Sequence, residues 1–301
     1  MKPKTINQAR VMAKVLGTDK NLYQNLLFQE HFFTPHQFEL FTRLNGEFEN
    51  GYPLDYIIGE VVFLENNFIV KPGVLIPRPE TEIWVGEFIK KNFYKNNKIN
   101  GKYCKTILID IGAGTGVIGL SLARIFKKVY LTDIFPIPLA ILQENKNLFI
   151  KNNPALKSSE IQIIKSDLLS SLEIKNIISN CPVLTLKKGL VGTLVRINFP
   201  CPDKIEGIIT KSKKIYTKKP VGDYIIVSNL PYVPKMKADK ILENKISFEP
   251  GEAIFSGPGG RDHITNLIRQ INKLDIWPRE IHLELDNSHI ICFGEIISSF
   301  K

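Results

Sequence analysis

Cysteine is scarce in this chain of 301 residues. The four present, Cys104, Cys181, Cys201 and Cys292, include no C-x-x-C pair. That scatter argues against a disulfide framework or a cysteine metal site, and it suits a reduced compartment. Long apolar runs are also missing. None approaches the roughly 20 residues that a membrane helix requires, so no membrane partner is expected. The five histidines have no metal-ligand spacing with one another, and no metal is expected. The first residues, MKPKTINQARVMAKVLG, are basic but lack an apolar stretch and a cleavage motif. They do not read as a secretory signal. The expectation is a cytoplasmic protein, with a mitochondrial location left open. Acidic residues are outnumbered, 30 against 40 Lys and Arg, for a formal charge of +10. Where that charge lies matters more than its total.

What is present is an ordinary globular composition, 44% hydrophobic and 23% charged, long enough for one large domain and a small one. The chain is organised around Ile107–Arg124, ILIDIGAGTGVIGLSLAR. A short apolar run ends at Asp110, as in a parallel strand covered on both faces. Gly112, Gly114 and Gly116 then predict a tight turn where backbone can approach a ligand. Val117, Ile118, Leu120 and Leu122 suit a helix, whose first N–H groups are free for an anionic ligand group. Two ligand classes use this geometry. Gly114–Gly119 spells the dinucleotide fingerprint G-x-G-x-x-G. Asp110–Gly116 is also similar to the acid-x-G-x-G-x-G pattern of S-adenosylmethionine (SAM)-dependent methyltransferases. Asp110 could receive a ligand ammonium, whereas a pyrophosphate gives no reason for a carboxylate there.

Residues 1–55 carry helical apolar spacing, with Thr34-Pro35 as a helix start. Residues 56–76 read as a β-hairpin turning at Glu65-Asn66-Asn67. Ile76-Pro-Arg-Pro-Glu-Thr-Glu82 follows. Its Arg78, Glu80 and Glu82 either wall a site or form a helix N-terminus with favourable acids. Lys128–Asp133 is a second strand. In doubly wound folds, an acid there, roughly 20 residues past the glycines, holds ribose hydroxyls. Ile161–Ile164 is a third strand. Asp167 behind it could accept from an adenine amino group or cap a helix from Leu168 to Leu172. Residues 174–222 hold ten Lys or Arg against Asp203 and Glu206, most of the chain's net charge. Leu190–Phe199 and Gly207–Thr217 look like strands within this insertion. Its lysines would protect a solvated edge or contact ribosomal RNA or the ribosome. His263 and His282 read as surface or packing residues.

Tyr224–Val227 is a fourth strand, followed at once by Ser228-Asn229-Leu230-Pro231-Tyr232. Ligands in open α/β sheets lie at the strands' carboxyl ends, so this loop should face the glycine turn. An amide or exocyclic amino nitrogen is a poor nucleophile, because its lone pair is delocalised. Methyl transfer to it needs the nitrogen held in line and its N–H groups directed to acceptors. The Asn229 side-chain carbonyl and the Leu230 backbone carbonyl supply two. Pro231 stiffens the loop, and Tyr232 can pack on a flat conjugated group. Ile281–Leu285 is a fifth strand and Ser288–Phe300 a last helix.

On Tyr56–Glu60, Ile76–Glu82, Asp110–Gly116, Asp133, Ser166-Asp167, Ser228–Tyr232 and Glu249-Pro250 through Asp262, the chain resembles the HemK/PrmC family. These are the protein-(glutamine-N5) methyltransferases of peptide chain release factors. The resemblance covers about residues 50–173 and 223–290. It implies an α/β fold, a Rossmann-like SAM-dependent methyltransferase domain at 77–301. A small helical N-terminal domain (1–55) for substrate recognition joins it through the β-hairpin. It implies that Asp110, Gly112, Ala113, Gly114, Thr115, Gly116, Asp133, Asp167, Leu168 and Asn229 bind SAM. Asn229, Leu230, Pro231 and Tyr232 would orient the glutamine of a Gly-Gly-Gln tripeptide in a release factor. Three departures stand out. Leu230 replaces the first proline of Asn-Pro-Pro-Tyr, giving the Asn-Leu-Pro-Tyr form of rRNA adenine dimethyltransferases. The 174–222 insertion separates the third and fourth strands. The family's last two sheet strands are not found after the final helix, leaving the fifth strand an exposed edge unless the insertion completes the sheet. The competing expectations are an rRNA adenine N6-methyltransferase, a non-catalytic RNA- or ribosome-binding descendant and, most weakly, a nicotinamide oxidoreductase.

Overall fold

The structure is a computed structural model. It describes residues 3–17, 23–26, 31–95, 98–99, 103–156, 160–184, 192–200, 208–237 and 248–301. Lys187, Lys188, Cys201, Asp203, Lys204 and Glu206 of the insertion lie outside the described residues.

Four helices open the chain: α1 (Ile6–Leu16), α2 (Tyr23–Leu26), α3 (Pro35–Glu49) and α4 (Leu54–Ile58). Thr34 caps α3 in a capping box with Gln37, which satisfies two otherwise unpaired N–H groups. Ala9, Met12, Phe41, Leu44, Leu54 and Ile57 form a small buried cluster of their own. The hairpin is shorter than its apolar letters suggest. Tyr56, Ile57 and Ile58 belong to α4, which ends at left-handed Gly59. Only β1 (Glu60–Phe63) and β2 (Asn66–Ile69) are paired strands. Their turn is Leu64-Glu65, both at positive φ (46° and 65°), rather than the asparagines. A two-residue hairpin loop needs that left-handed pair to match strand twist.

The main sheet contains β5 (Ile107–Ile111), β6 (Lys128–Asp133), β7 (Ile161–Lys165), β8 (Gly192–Pro200), β9 (Ile208–Tyr216), β10 (Val221–Ser228) and β11 (Trp277–Glu284). A separate short pair is β3 (Tyr94–Lys95) and β4 (Lys98–Ile99). The sheet order is β7-β6-β5-β10-β11-β8-β9, and every neighbouring pair is parallel except β8 with β9. The helices are α5 (Pro79–Phe93), α6 (Val117–Leu122), α7 (Pro136–Asn152), α8 (Leu172–Ser179), α9 (Asp262–Asn272) and α10 (Phe293–Ser298). One face packs on Trp84, Phe88, Tyr103, Phe126 and Phe149, the other on Ile174, Ile178, Leu267, Ile271 and Ile297. From β5 the chain runs outward through β6 and β7, crosses to β8 and β9 at the far edge, and comes back to β10 beside β5. The β5/β10 boundary is thus the switch point where an open sheet leaves a crevice.

Of the two expectations for the fifth strand, an exposed edge or a sheet completed by the insertion, the second holds. β8, from the insertion, pairs along β11 from Glu280↔Leu194 to Glu284↔Asn198 and covers that edge. Val195 and Ile197 are fully buried, so this part of the insertion is sheet rather than solvated loop. On β11, Glu280, His282 and Glu284 share one face by strand alternation, and all three are buried. Glu280 accepts from Tyr103 Oη (2.9 Å) and pairs with Arg196 of β8 (2.5 Å). His282 Nε2 lies 3.1 Å from Glu280 and its ring meets Phe88 edge-on. His282 is therefore a packing residue, as its sequence context suggested. The edge is now β9, with Lys213, Lys214 and Lys218 exposed. Lys219 is different: its Nζ donates to the carbonyls of Asn272 and Leu274 behind α9.

Candidate active site

A cavity of about 430 Å³ opens at the carboxyl ends of β5, β6, β7 and β10. Gly112, Ala113, Gly114 and Thr115 form its floor, Asp133–Pro138 one wall, and Asp167 and Leu168 the far end. Asn229, Leu230 and Pro231 face them from β10. The structure thus brings together most of the residues singled out from sequence.

The glycine turn is held from three sides. Ala113 N–H donates to Thr132 O (2.8 Å). Asn145 of α7 donates to the carbonyls of Thr115 and Ile69, both at 2.9 Å, which ties the turn to β2. Gly114 adopts φ 55°, and a Cβ there would point into open space, the cavity itself. A side chain would therefore occupy the ligand's place. Gly116 does not line the cavity. A Cβ there would meet Leu142 at 2.4 Å, so this glycine serves packing against α7.

Asp133 ends β6 as expected. Its Oδ2 accepts from Gly114 N–H (3.0 Å) and its Oδ1 from Phe135 N–H (3.1 Å). A carboxylate has about four acceptor sites, so capacity is left for a ligand hydroxyl. Burial raises the Asp133 carboxyl above its ordinary range, opposed by the backbone N–H groups of Phe135, Gly114 and Ile134. Asp167 is exposed on the cavity wall and does not cap a helix at Leu168. α8 starts later, at Leu172, capped by Ser171. Leu168 takes φ 52°, with Ser166 Oγ donating to its carbonyl at 2.8 Å. Asp133, Asp167 and the cradle at Gly114 fit an adenosine-bearing ligand of this volume class.

Asp110 departs from the expectation. It does not line the cavity and is 1% exposed. Its Oδ2 turns back to accept Gly119 N–H at 2.8 Å, near the N-terminus of α6. Its Oδ1 is buried without a hydrogen-bond partner among the described residues. Burial pushes this carboxyl up to about 7, opposed by the Gly119 bond and assisted by the Asp133 charge. The geometry makes it a brace beneath the turn, not a direct receiver of a ligand cation.

On the opposite wall, Ser228 Oγ donates to Ile111 O (2.6 Å), which clamps β10 to β5 just before the loop. Asn229 Nδ2 donates to Glu284 Oε1 (2.9 Å) and Thr81 Oγ1 (3.1 Å). Leu230 is buried, its side chain beside Gly112. Tyr232 does not line the cavity. Its ring is half-buried at 6.4 Å from that of His289, because the chain there leaves the site to bridge Val233 to Phe255. Arg78 does line it. Glu249 accepts from Arg78 Nη2 (2.7 Å) and from Ile76 N–H (2.9 Å), which clasps two distant motifs over the site. Glu82 instead accepts Leu64 N–H (2.8 Å) and fixes the hairpin turn.

Three contributors escaped the sequence reading. Thr81 lines the cavity, and so does His263, with Nδ1 2.6 Å from Ser256 Oγ. Glu284 stands behind Asn229. The last had a signal: it is an acid ending a buried parallel strand, as Asp133 does.

Comparison with known proteins adds to this geometry. A family model described as lysine methyltransferase matches residues 80–169. That span runs from α5 to Leu169 and includes the glycine turn, Asp133 and Asp167, but not Asn229–Tyr232. It bears on the cofactor half, not on the acceptor. A release factor glutamine methyltransferase of Mycoplasma mycoides subsp. mycoides SC is 31% identical over 229 residues, 71% of this chain and 76% of the relative. One from Koribacter versatilis is 28% identical over 225 residues, 74% of this chain. The chain spans only 58% of that relative's length. Among solved structures, a ribosomal protein L11 methylase from Lactobacillus delbrueckii subsp. bulgaricus is 12% identical, with a TM-score of 0.39 over 77% of this chain and 73% of that one.

Proposed function

The chain belongs to the release factor glutamine methyltransferase family, and from that premise we propose that it methylates the side-chain amide nitrogen of a release-factor glutamine with SAM. The carrying observation is that Asn229–Pro231 and the glycine turn line one cavity at the sheet's switch point. Gly112–Thr115, Asp133, Asp167 and Leu168 would hold the cofactor. Bound SAM would supply an electrophilic methyl, its carbon–sulfur bond exchanged for the new carbon–nitrogen bond and one N–H proton released to water.

The protein's part is orientation. Asn229 Oδ1 and the Leu230 carbonyl accept the substrate N–H groups and fix the nitrogen, which is where proximity lowers the barrier. Ser228 and Pro231 restrain the loop. The Arg78–Glu249 clasp and apolar Phe135 and Ile137 limit water. The helical N-terminal unit, with Phe38 half exposed on α3, is the proposed docking surface for the release factor.

Leu230 does not by itself favour an RNA acceptor. Its side chain packs beside Gly112, while its backbone carbonyl would do the chemistry. The place for any ribosomal RNA contact would be the exposed lysines of β9 and the turn after it. The discriminating assay offers labelled SAM with release factor and ribosomal RNA side by side. Label in the glutamine supports this reading, and label only in adenine replaces it.

A further inference from the structure

We propose that Glu284 is a positioning residue that locks the Asn229 amide with its nitrogen turned inward and its Oδ1 facing the substrate. The proposal rests on the reading of Oδ1 as the acceptor for the glutamine N–H. β10 and β11 run in register at Ser228↔Leu283, so the next residues, Asn229 and Glu284, lie together. Asn229 lines the cavity, whereas Glu284 is 1% exposed behind it.

Glu284 is surrounded by donors. Trp84 Nε1 donates to Oε2 at 2.6 Å, Asn229 Nδ2 to Oε1 at 2.9 Å, and the Thr81 hydroxyl also bonds the carboxylate. Burial pushes the Glu284 carboxyl up to about 7, opposed by these donors, and in its ionised form it can only accept. Asn229 must therefore present its NH₂ group to it. The second amide proton goes to Thr81 Oγ1 at 3.1 Å. Both N–H groups are then spent, and Oδ1 takes no hydrogen bond from the described residues. Were the amide flipped, the cavity would display a donor to a substrate nitrogen that needs an acceptor.

Trp84 makes the arrangement testable. Its indole N–H is donor-only and buried. In Glu284→Gln, the carbonyl of the introduced glutamine must serve Trp84, so its NH₂ group faces Asn229 and flips that amide. Removing the indole N–H by Trp84→Phe frees the glutamine to turn its carbonyl toward Asn229.

The experiment measures kcat and KM for a release factor, with SAM affinity by calorimetry, in the full-length protein. Glu284→Gln should lose about a hundredfold in kcat, while KM and SAM affinity stay within about threefold. Trp84→Phe alone should stay near wild type, and adding it to Glu284→Gln should restore about tenfold or more. Full activity of Glu284→Gln beside an inactive Asn229→Ala overturns the positioning role alone. An active Asn229→Ala overturns the acceptor reading, and this role with it. If Glu284→Gln fails to fold, NMR of the wild-type chain still decides. Two exchange-protected Asn229 side-chain protons, assigned by their loss in Asn229→Ala, are expected, and fast exchange of both would overturn the proposal.

Discussion

Asp110→Asn should stabilise the ligand-free protein, and do so only where the carboxyl would be charged. The native carboxyl is pushed up to about 7 from its ordinary 3.8, chiefly because it is fully buried; its Oδ1 has no hydrogen-bond partner among the described residues. Between those values, the folded chain holds a proton that the unfolded chain has released. Stability therefore falls as pH rises through that window, and the whole penalty is present above pH 7. At 1.36 kcal/mol per pH unit, the penalty reaches about 4 kcal/mol. Asparagine removes the charge but weakens the bond to Gly119 N–H, a loss of about 1 kcal/mol. The net gain is about 3 kcal/mol at pH 8, or roughly 6 °C in Tm for a chain of this size. The assay is thermal melting of both proteins without SAM, from pH 4 to 8.5. The difference should be near zero or slightly negative at pH 4, grow through pH 5–7 and then level off. A pH-independent difference would refute the claim that burial of an ionised Asp110 is what strains this turn.

Other perturbations test other parts of the site. Asp133→Ala should weaken SAM binding by about 2–4 kcal/mol, through loss of two charge-assisted hydrogen bonds, with unchanged calorimetric affinity as the contrary outcome. Arg196→Met should destabilise the fold by about 3 kcal/mol in denaturant titration, since it removes the closer of the two arginines beside buried Glu280, at 2.5 Å against 3.9 Å for Arg279. A change below about 0.5 kcal/mol would show that β8 is not anchored through this pair. Replacing Lys211, Lys213, Lys214 and Lys218 with serine should leave stability nearly unchanged while lowering ribosomal RNA binding and its salt slope. If RNA binding is unaltered, those lysines serve edge protection alone. Lys219 is best excluded from that set, because it caps the carbonyls behind α9.

The parts that were legible in sequence are those that depend on neighbours in the chain. The glycine turn, Asp133 and the Asn229 loop each follow a strand of apolar letters, and the parallel α/β pattern fixes which end of the sheet they share. Thr34 announced its helix because the N-cap and Pro35 at the first helical position are adjacent in the chain. What was not legible depends on partners far along the chain. Arg196 looks like one more surface cation until Glu280 of β11 is placed beside it by parallel pairing, and nothing local specifies that neighbour. Glu284 shows its role only when Asn229 and Thr81 converge on it from β10 and α5. Tyr56–Ile58 misled because β-branched letters suit a strand, yet Pro53 starts a helix and Gly59 ends it. Asp110 misled in the other direction, since its position in the motif does not reveal that its carboxylate turns toward Gly119.

The central claim is that the Asn229 loop presents acceptors to a glutamine amide beside a bound SAM. Its most direct test is mass spectrometry of the Gly-Gly-Gln peptide from a release factor incubated with SAM and either the wild-type protein or Asn229→Ala. The account predicts one added methyl on the glutamine with wild type and a rate lower by about a hundredfold or more with the variant, at nearly unchanged SAM affinity. An unmodified glutamine, with a wild-type protein that binds SAM and places the methyl on RNA adenine, would contradict it.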